Sequence, residues 1–86
     1  MEINNDVAHN RVWAERDGNI SEVEYIVSDG MLNIIHTFVP QALEGQGIAS
    51  QLVKYAYDYA LEQGLRPIAT CSYARAWLKR HPEYVK

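Results

Sequence analysis

The Gly-x-Gly pattern at Gly45 and Gly47 has a clear chemical meaning, because it lies between an apolar run and a helical pattern. The first N–H groups of a helix have no partner inside the helix, and the helix dipole adds partial positive charge there. Glycines at such a point let the backbone turn sharply and let an anion approach closely. The loop therefore indicates a phosphate site, although a plain connection between a strand and a helix fits the same residues.

His36 and Cys71 are the side chains of the neighbouring predicted strands that can do acid–base or acyl chemistry. An imidazole titrates at about pH 6.5, so His36 can act as a general base; a buried, hydrogen-bonded strand histidine fits the position equally. Cys71 can accept an acyl group as a thioester, line an acceptor pocket, or pack as a small hydrophobic residue. The three histidines of the chain are far apart and lack paired cysteines or carboxylates, so the sequence predicts no metal site.

Three strands must come before the loop. The turn signals Asp17-Gly18 and Ser28–Gly30 separate runs of alternating apolar and polar residues, which is typical of an antiparallel meander. The third run, Met31–Val39, is the most apolar, so we expect it to be central in the sheet. Pro40 lacks an N–H group and ends this strand.

A long helix, a short strand and a short helix must follow the loop. Apolar residues recur at helical spacing across Gly47–Gln63, and Gly64 is the predicted C-terminal cap, because it follows the last turn. The segment Arg66–Cys71 then predicts a strand parallel to the third one. Ser72–Pro82 predicts the short helix, with Ser72 as its N-cap.

The totals of the sequence limit the classes of protein to which it can belong. Its 86 residues suffice for one domain, with residues 1–8 expected to be frayed. A formal charge of -3 disfavours a nucleic-acid binder, and no apolar run approaches the roughly 20 residues that span a membrane. The single cysteine and the polar N-terminus favour a cytoplasmic protein. We therefore predict a compact α/β (α+β) domain with antiparallel strands extended by a parallel strand.

The combination HTFVP…GQGIASQLV…A…GL…P…C, ending in RHPEY, resembles the GCN5-related N-acetyltransferase superfamily, and in particular its small YjdJ-type subgroup. The resemblance covers about residues 9–84 and implies a minimal form of that fold. It implies that a loop binds the diphosphate of coenzyme A through backbone amides and that the preceding strand contacts the pantetheine arm. The cofactor-binding positions are then Phe38, Val39, Glu44, Gly45, Gln46, Gly47, Ile48 and Ala49. It also implies that Tyr73 protonates the departing thiolate, although an ordinary half-buried tyrosine fits there too.

The resemblance further implies acetyl-CoA as the cofactor and transfer of its acetyl group to an amine. Catalysis would involve His36, Cys71 and Tyr73. Only a hairpin turn joins the first two predicted strands, so the acceptor side should be open, which suits a protein or peptide acceptor. Free sheet edges are compatible with a monomer or a weak homodimer. Two alternatives remain: a non-catalytic module that binds CoA or acyl-CoA, and a protein-interaction domain without a cofactor.

Overall fold

The structure is a computed structural model that describes residues 1–85, and within them the chain forms one sheet with two α-helices. The strands are β1 (Ile3–Asp6), β2 (Arg11–Arg16), β3 (Asn19–Ser28), β4 (Met31–Phe38) and β5 (Arg66–Ala69). The helices are α1 (Ile48–Glu62) and α2 (Ser72–Arg80). Short 3-10 turns cover Val7–His9, Gln41–Leu43 and Pro82–Tyr84. The predicted mixed α+β architecture is confirmed.

The five strands lie in the order β1-β2-β3-β4-β5. The first four are antiparallel neighbours, and β5 pairs parallel to β4 after the crossover through α1. Asp-Gly pairs form both predicted hairpin turns, at Asp17-Gly18 and Asp29-Gly30, with positive φ at both residues of each pair. Two such residues give the turn that matches the twist of the flanking strands. The strand β4 is internal, as expected, but β3 is the middle strand.

The expectation of a frayed start is wrong for Ile3–Asp6. These residues pair antiparallel with β2, from Ile3 opposite Ala14 to Asp6 opposite Arg11. The segment has the composition Ile-Asn-Asn-Asp, which is poor in strand formers. Backbone pairing with β2 and the packing of Ile3 against the core compensate for that composition.

The core lies between one face of the sheet and the two helices. We call this face the helix-side face; its buried residues include Val12, Ala14, Val23, Tyr25, Leu32 and Ile34. α1 contributes the buried residues Ile48, Leu52, Val53, Ala56, Tyr57 and Ala60, and α2 contributes Ala74, Trp77 and Leu78. The opposite face, which we call the open face, includes Trp13, Glu22, Glu24, Ile26, His36 and Phe38. Ile26 and Phe38 are 45% and 47% exposed, so this face of the described sheet is accessible to solvent.

A β-bulge at Ile35 changes the alternation of β4. Glu24 of β3 lies opposite His36, whereas its neighbour Tyr25 lies opposite Ile34, so Ile35 has no cross-strand partner. Leu32 and Ile34 therefore face the helices before the bulge. After it, odd-numbered residues face the helices, because Thr37 lies opposite the buried Val23. An extra residue in one strand has this effect because side chains alternate with a period of two.

The helices end close to the predicted residues, but the predicted N-cap of α2 is wrong. Gly64 follows α1 with φ of 72°, so it is the left-handed residue that ends the helix. α2 begins at Ser72, one residue earlier than a Ser72 cap requires: Cys71 occupies the N-cap position, and no side chain caps the helix. The helix ends at Arg80, before Pro82.

Candidate functional site

The ends of several elements meet at one edge of the sheet. β2 and β4 both run antiparallel to β3, and β5 runs parallel to β4. The C-terminal ends of β2, β4 and β5 therefore lie at the same edge. The connection from β4 to α1 also starts there, and such an edge is where open α/β sheets tend to bind ligands.

The glycine loop, Glu44–Gly47, leads directly into α1. Buried Leu43 anchors the preceding 3-10 turn in the core. Gly45 and Gly47 have φ of +83° and +74°, and a Cβ built on either would meet no other atom within 4 Å. Gly47 is the N-cap residue, no side chain caps α1, and its first turn has no acidic residue. The loop therefore leaves helical N–H groups free to bind an anion.

Two adjoining cavities lie beside this loop. The loop cavity, of about 230 Å³, is lined by Val39, Leu43, Glu44, Gly45, Gly47, Ile48, Ala49 and Tyr73. The strand cavity, of about 420 Å³, is lined by Thr37, Phe38, Val39, Glu44, Ala49 and Tyr73. Their shared residues join them into one groove from the start of α1 to the end of β4. Of the predicted cofactor-binding positions, all except Gln46 line this groove.

The side of β4 that faces β5 is unpaired at its C-terminal end. β5 pairs with β4 only from Met31 to Ile34. The N–H groups of Thr70 and Cys71 then both donate to the carbonyl of Ile34, at 3.1 Å each, as the chain turns into α2. Beyond this point β4 continues to Phe38 with β3 as its strand neighbour. An extended ligand can therefore pair with this stretch as an added strand does.

Cys71 lies between this stretch of β4 and the start of α2. Its Sγ is 3.4 Å from the Thr37 hydroxyl. Burial raises the pKa of the Cys71 thiol, but hydrogen bonds from the Thr37 hydroxyl and from backbone N–H groups at Ala74, Tyr73 and Thr37 together outweigh it. The pKa therefore lies below its ordinary value, which favours the nucleophilic thiolate.

Tyr73 lies in the groove, whereas His36 lies on the open face of the sheet. Tyr73 is 36% exposed and lines both cavities of the groove. His36 was expected on the cleft-lining strand; it is on that strand, but its ring is exposed on the open face, opposite Glu24. The bulge at Ile35 causes this orientation. The structure therefore places Tyr73 in the groove and Cys71 behind Thr37, which lines the strand cavity, and it leaves His36 on the other face.

Three further contacts at the site were not predicted from the sequence. Thr37 contacts Cys71, as described above. The indole Nε1 of Trp77 donates to the Ser50 hydroxyl at 2.9 Å, which joins α2 to the first turn of α1. Arg16 donates to the side-chain oxygen of Gln46 at 2.7 Å. These pairs join residues 27 to 34 positions apart, and no local pattern in the sequence indicates them.

Other kinds of site have no support in the part of the chain that the structure describes. Within residues 1–85, no group of three or more His, Cys, Asp or Glu side chains is arranged to hold a metal ion. None of the described helices combines the length and hydrophobicity needed to cross a membrane.

Comparison with known proteins identifies the family. The family described as GCN5-related N-acetyl-transferase matches residues 10–86. Protein NATD1 of Bos taurus is 39% identical over 56 residues, which cover 65% of this chain and 50% of that protein. Protein NATD1 of Danio rerio is 33% identical over 78 residues, which cover 88% of this chain and 70% of that protein. The chain thus spans about half the length of the first of these relatives.

A solved structure agrees with this family. The solution structure of a GCN5-like protein from Staphylococcus aureus superposes with a TM-score of 0.73 and 31% sequence identity. The match covers 96% of this chain and 82% of that one. Because the family matches residues 10–86 and this solved structure has the same fold, the chain belongs to the GCN5-related N-acetyltransferase family.

Proposed function

We propose that the chain binds acetyl-coenzyme A in the groove and transfers its acetyl group to an amine. The proposal depends on the continuity of the groove, which joins the uncapped start of α1 to the unpaired stretch of β4. An uncapped helix start binds anions, and an unpaired strand binds extended chains. Coenzyme A has both parts: a diphosphate, and an extended pantetheine arm that ends in the reacting thioester.

The main chain supplies most of the proposed contacts with the cofactor. N–H groups of Gly45, Gln46, Gly47, Ile48 and Ala49 bind the diphosphate, whereas the N–H of Glu44 already donates to the Gln41 carbonyl at 3.2 Å. Phe38 and Val39 lie along the pantetheine arm, because they line the strand cavity. The reacting thioester then lies near the end of β4, where Tyr73 and Cys71 are within the same region of the site.

Direct transfer at this end of the groove needs deprotonation of the amine, attack of the amine on the thioester, and departure of a protonated thiol. The amine nitrogen attacks the thioester carbonyl, a C–N bond forms, the C–S bond breaks, and the coenzyme A thiolate leaves. Tyr73 lines the groove and donates a proton to that thiolate, and its phenolate then takes up the proton that the nitrogen loses as the amide forms. A lysine-type amine has a pKa of about 10.4, so it must lose a proton before it attacks. His36 lies on the open face outside the groove, so it accepts that proton from an amine that arrives over this face, before the amine enters the groove.

A two-step route through Cys71 is the alternative within the same activity. The Cys71 thiolate attacks the thioester, coenzyme A leaves, and the amine then attacks the new thioester on Cys71. The lowered pKa of this thiol favours the route. Mass spectrometry of the protein after mixing with acetyl-CoA, without an amine, separates the routes. An acetyl adduct that is absent in Cys71→Ser supports the two-step route, and thiol release by Cys71→Ser after an amine is added supports direct transfer.

The acceptor approaches over the open face in this proposal. This face is broad, and its exposed residues combine apolar Ile26 and Phe38 with the carboxylate of Glu24 beside His36. A wide, uncovered surface suits a segment of a protein or peptide, and a carboxylate attracts a cationic amine. We therefore propose a protein or peptide acceptor.

The second candidate is a module that binds coenzyme A or acyl-CoA without catalysis. Two observations favour it: His36 points away from the groove, and the carboxylate-bearing Glu44 lines both cavities. Thiol release from acetyl-CoA distinguishes this module from a transferase. Tight binding with no release for a panel of peptides and polyamines would favour the module.

An amide chemical-shift titration with acetyl-CoA tests the binding itself. We expect shifts to concentrate on residues 38–49 and around Cys71 and Tyr73. The chain offers an internal control, a cavity of about 380 Å³ at the opposite end of the sheet, lined in part by Gly30, Arg66 and Glu83. Shifts concentrated there, or no shifts at all, would contradict the proposed site. Absence of binding would favour the protein-interaction alternative.

A further inference from the structure

The glycine loop lacks a basic residue of its own. The residues from Glu44 through Gln51 include one carboxylate and no lysine or arginine. Glu44 also lines the groove. A diphosphate that binds to main-chain N–H groups alone would therefore lie close to an uncompensated negative charge. The proposed function leaves open which side chain offsets that charge.

The β2–β3 hairpin lies at the edge of the sheet that contains the loop. Glu22 of β3 is opposite Phe38, the last residue of β4. Asn19, the first residue of β3, lies three residues before Glu22 and so beyond the end of β4. It pairs with Arg16 at the end of β2. Arg16 is therefore held by strand pairing at the edge where the loop and the start of α1 lie.

Arg16 also points towards the helices. It follows Val12 and Ala14 at two-residue spacing, and both of these are buried on the helix-side face. Its guanidinium reaches the side chain of Gln46, where Nη1 donates to Oε1 at 2.7 Å; neither residue lines the two cavities, so the guanidinium lies beside the groove. Arg16 itself is only partly exposed. A basic group that is absent from the loop sequence is thus present beside the loop in the folded chain.

We infer that Arg16 binds the diphosphate of coenzyme A together with the main chain of the glycine loop. This inference rests on the proposed function. A guanidinium has five N–H donors in a planar fork, and one of them is used by Gln46. The remaining donors can bind phosphate oxygens in the paired geometry that arginine favours. Gln46 positions the guanidinium beside the loop.

The competing explanation is that the Arg16–Gln46 pair only joins the hairpin to the loop. A purely structural tie predicts that removal of either partner has the same effect. It also predicts that the loss is the same for every ligand that uses the groove. A phosphate contact predicts a loss that depends on the phosphates of the ligand and on salt concentration.

Calorimetric titration of coenzyme A, dephospho-CoA and pantetheine separates these explanations. We expect Arg16→Gln to weaken coenzyme A about tenfold, equivalent to about 1.4 kcal/mol. The same loss is expected for dephospho-CoA, which retains the diphosphate, and none for pantetheine, which lacks it. Arg16→Lys should restore part of the affinity, and Gln46→Ala should cost less than Arg16→Gln. Added salt should weaken the wild-type protein more than Arg16→Gln.

The matched control for Arg16→Gln is a second arginine far from the groove, Arg66. Arg66→Gln removes the same charge from an exposed position at the opposite end of the sheet, and it should leave affinity for coenzyme A unchanged. Equal binding of coenzyme A by wild type and Arg16→Gln overturns the inference and leaves the proposed function intact. A loss shared with pantetheine, or one that vanishes with dephospho-CoA, also overturns it. No binding of coenzyme A by the wild-type protein overturns both.

Discussion

Replacing Gly47 by alanine tests whether the bare backbone at the start of α1 serves ligand binding. Gly47 has φ of +74°, and a Cβ there would meet no protein atom within 4 Å. The folded protein therefore pays only the conformational cost of a left-handed L-residue, about 1–2 kcal/mol. For a domain of this size, each 1 kcal/mol lowers the melting temperature by about 4–8 °C. Because Gly47 lines the loop cavity, the new Cβ also enters the space proposed for the diphosphate.

Gly30 provides a matched control for this strain. Its φ is +75°, and a Cβ there also meets nothing within 4 Å. It lies in the β3–β4 hairpin, at the edge of the sheet opposite the loop. Gly30→Ala should therefore lose the same stability as Gly47→Ala within about 0.5 kcal/mol. Only Gly47→Ala should weaken binding of acetyl-CoA, by at least about tenfold, or about 1.4 kcal/mol.

Thermal denaturation and calorimetric titration of the two variants measure these quantities independently. Gly47→Asn adds a third point, because asparagine tolerates the left-handed region better than alanine but has a larger side chain. It should recover stability relative to Gly47→Ala without recovering affinity. Equal affinities in Gly47→Ala and Gly30→Ala, at matched stability, would refute the role of the loop. A recovery of affinity in Gly47→Asn would show that strain, and not obstruction, caused the loss.

Three further results are expected. Glu44→Gln should strengthen binding of acetyl-CoA several-fold in calorimetry, because it removes a negative charge that lines the groove; unchanged affinity would mean that this carboxylate points away from the ligand. Thr37→Val should raise the pKa of Cys71, because it removes a hydrogen bond that stabilises the thiolate; the pH dependence of iodoacetamide alkylation measures this, and an unchanged midpoint would contradict it. Tyr84→Phe should destabilise the protein at neutral pH, because the Tyr84 hydroxyl donates to Asp58 at 2.6 Å. Burial raises the pKa of Asp58, but hydrogen bonds from Lys54 and Tyr84 lower it overall, so this stabilisation is present above the unfolded pKa of about 3.9 and is lost as pH falls through the folded value. Urea titrations across that range should show the difference between variant and wild type shrink on acidification, and a constant difference would contradict the assignment.

The local patterns of the sequence predicted most of the fold. Two Asp-Gly turns, the apolar stripe of α1 and Gly64 at its end each act over a few residues, so their effect is visible in the sequence. β1 was missed because an edge strand can be held by its partner's backbone, whatever its own composition. The parallel pairing of β4 and β5 was predicted because a crossover helix between neighbouring strands allows little else.

The side chains of the site were less predictable, because their arrangement depends on contacts between distant segments. The glycine loop was identifiable from Gly45 and Gly47, whose backbone angles require glycine. The outward orientation of His36 depends on one unpaired residue, Ile35, and a bulge of this kind leaves no trace in the alternation of residue types. Arg16 is 30 positions from Gln46, so only the folded hairpin shows that they are neighbours.

The bulge at Ile35 determines from which sides of the sheet the end of β4 is accessible. Before the bulge, Leu32 and Ile34 of β4 face the helices; after it, His36 is exposed on the open face, and Thr37, Phe38 and Val39 line the strand cavity. Because β5 pairs with β4 only as far as Ile34, the end of β4 is accessible from both faces of the sheet. The molecule is only 19 Å thick in its shortest dimension. If acetyl-CoA occupies the groove as proposed, an acceptor can approach the end of β4 over the open face without displacing it.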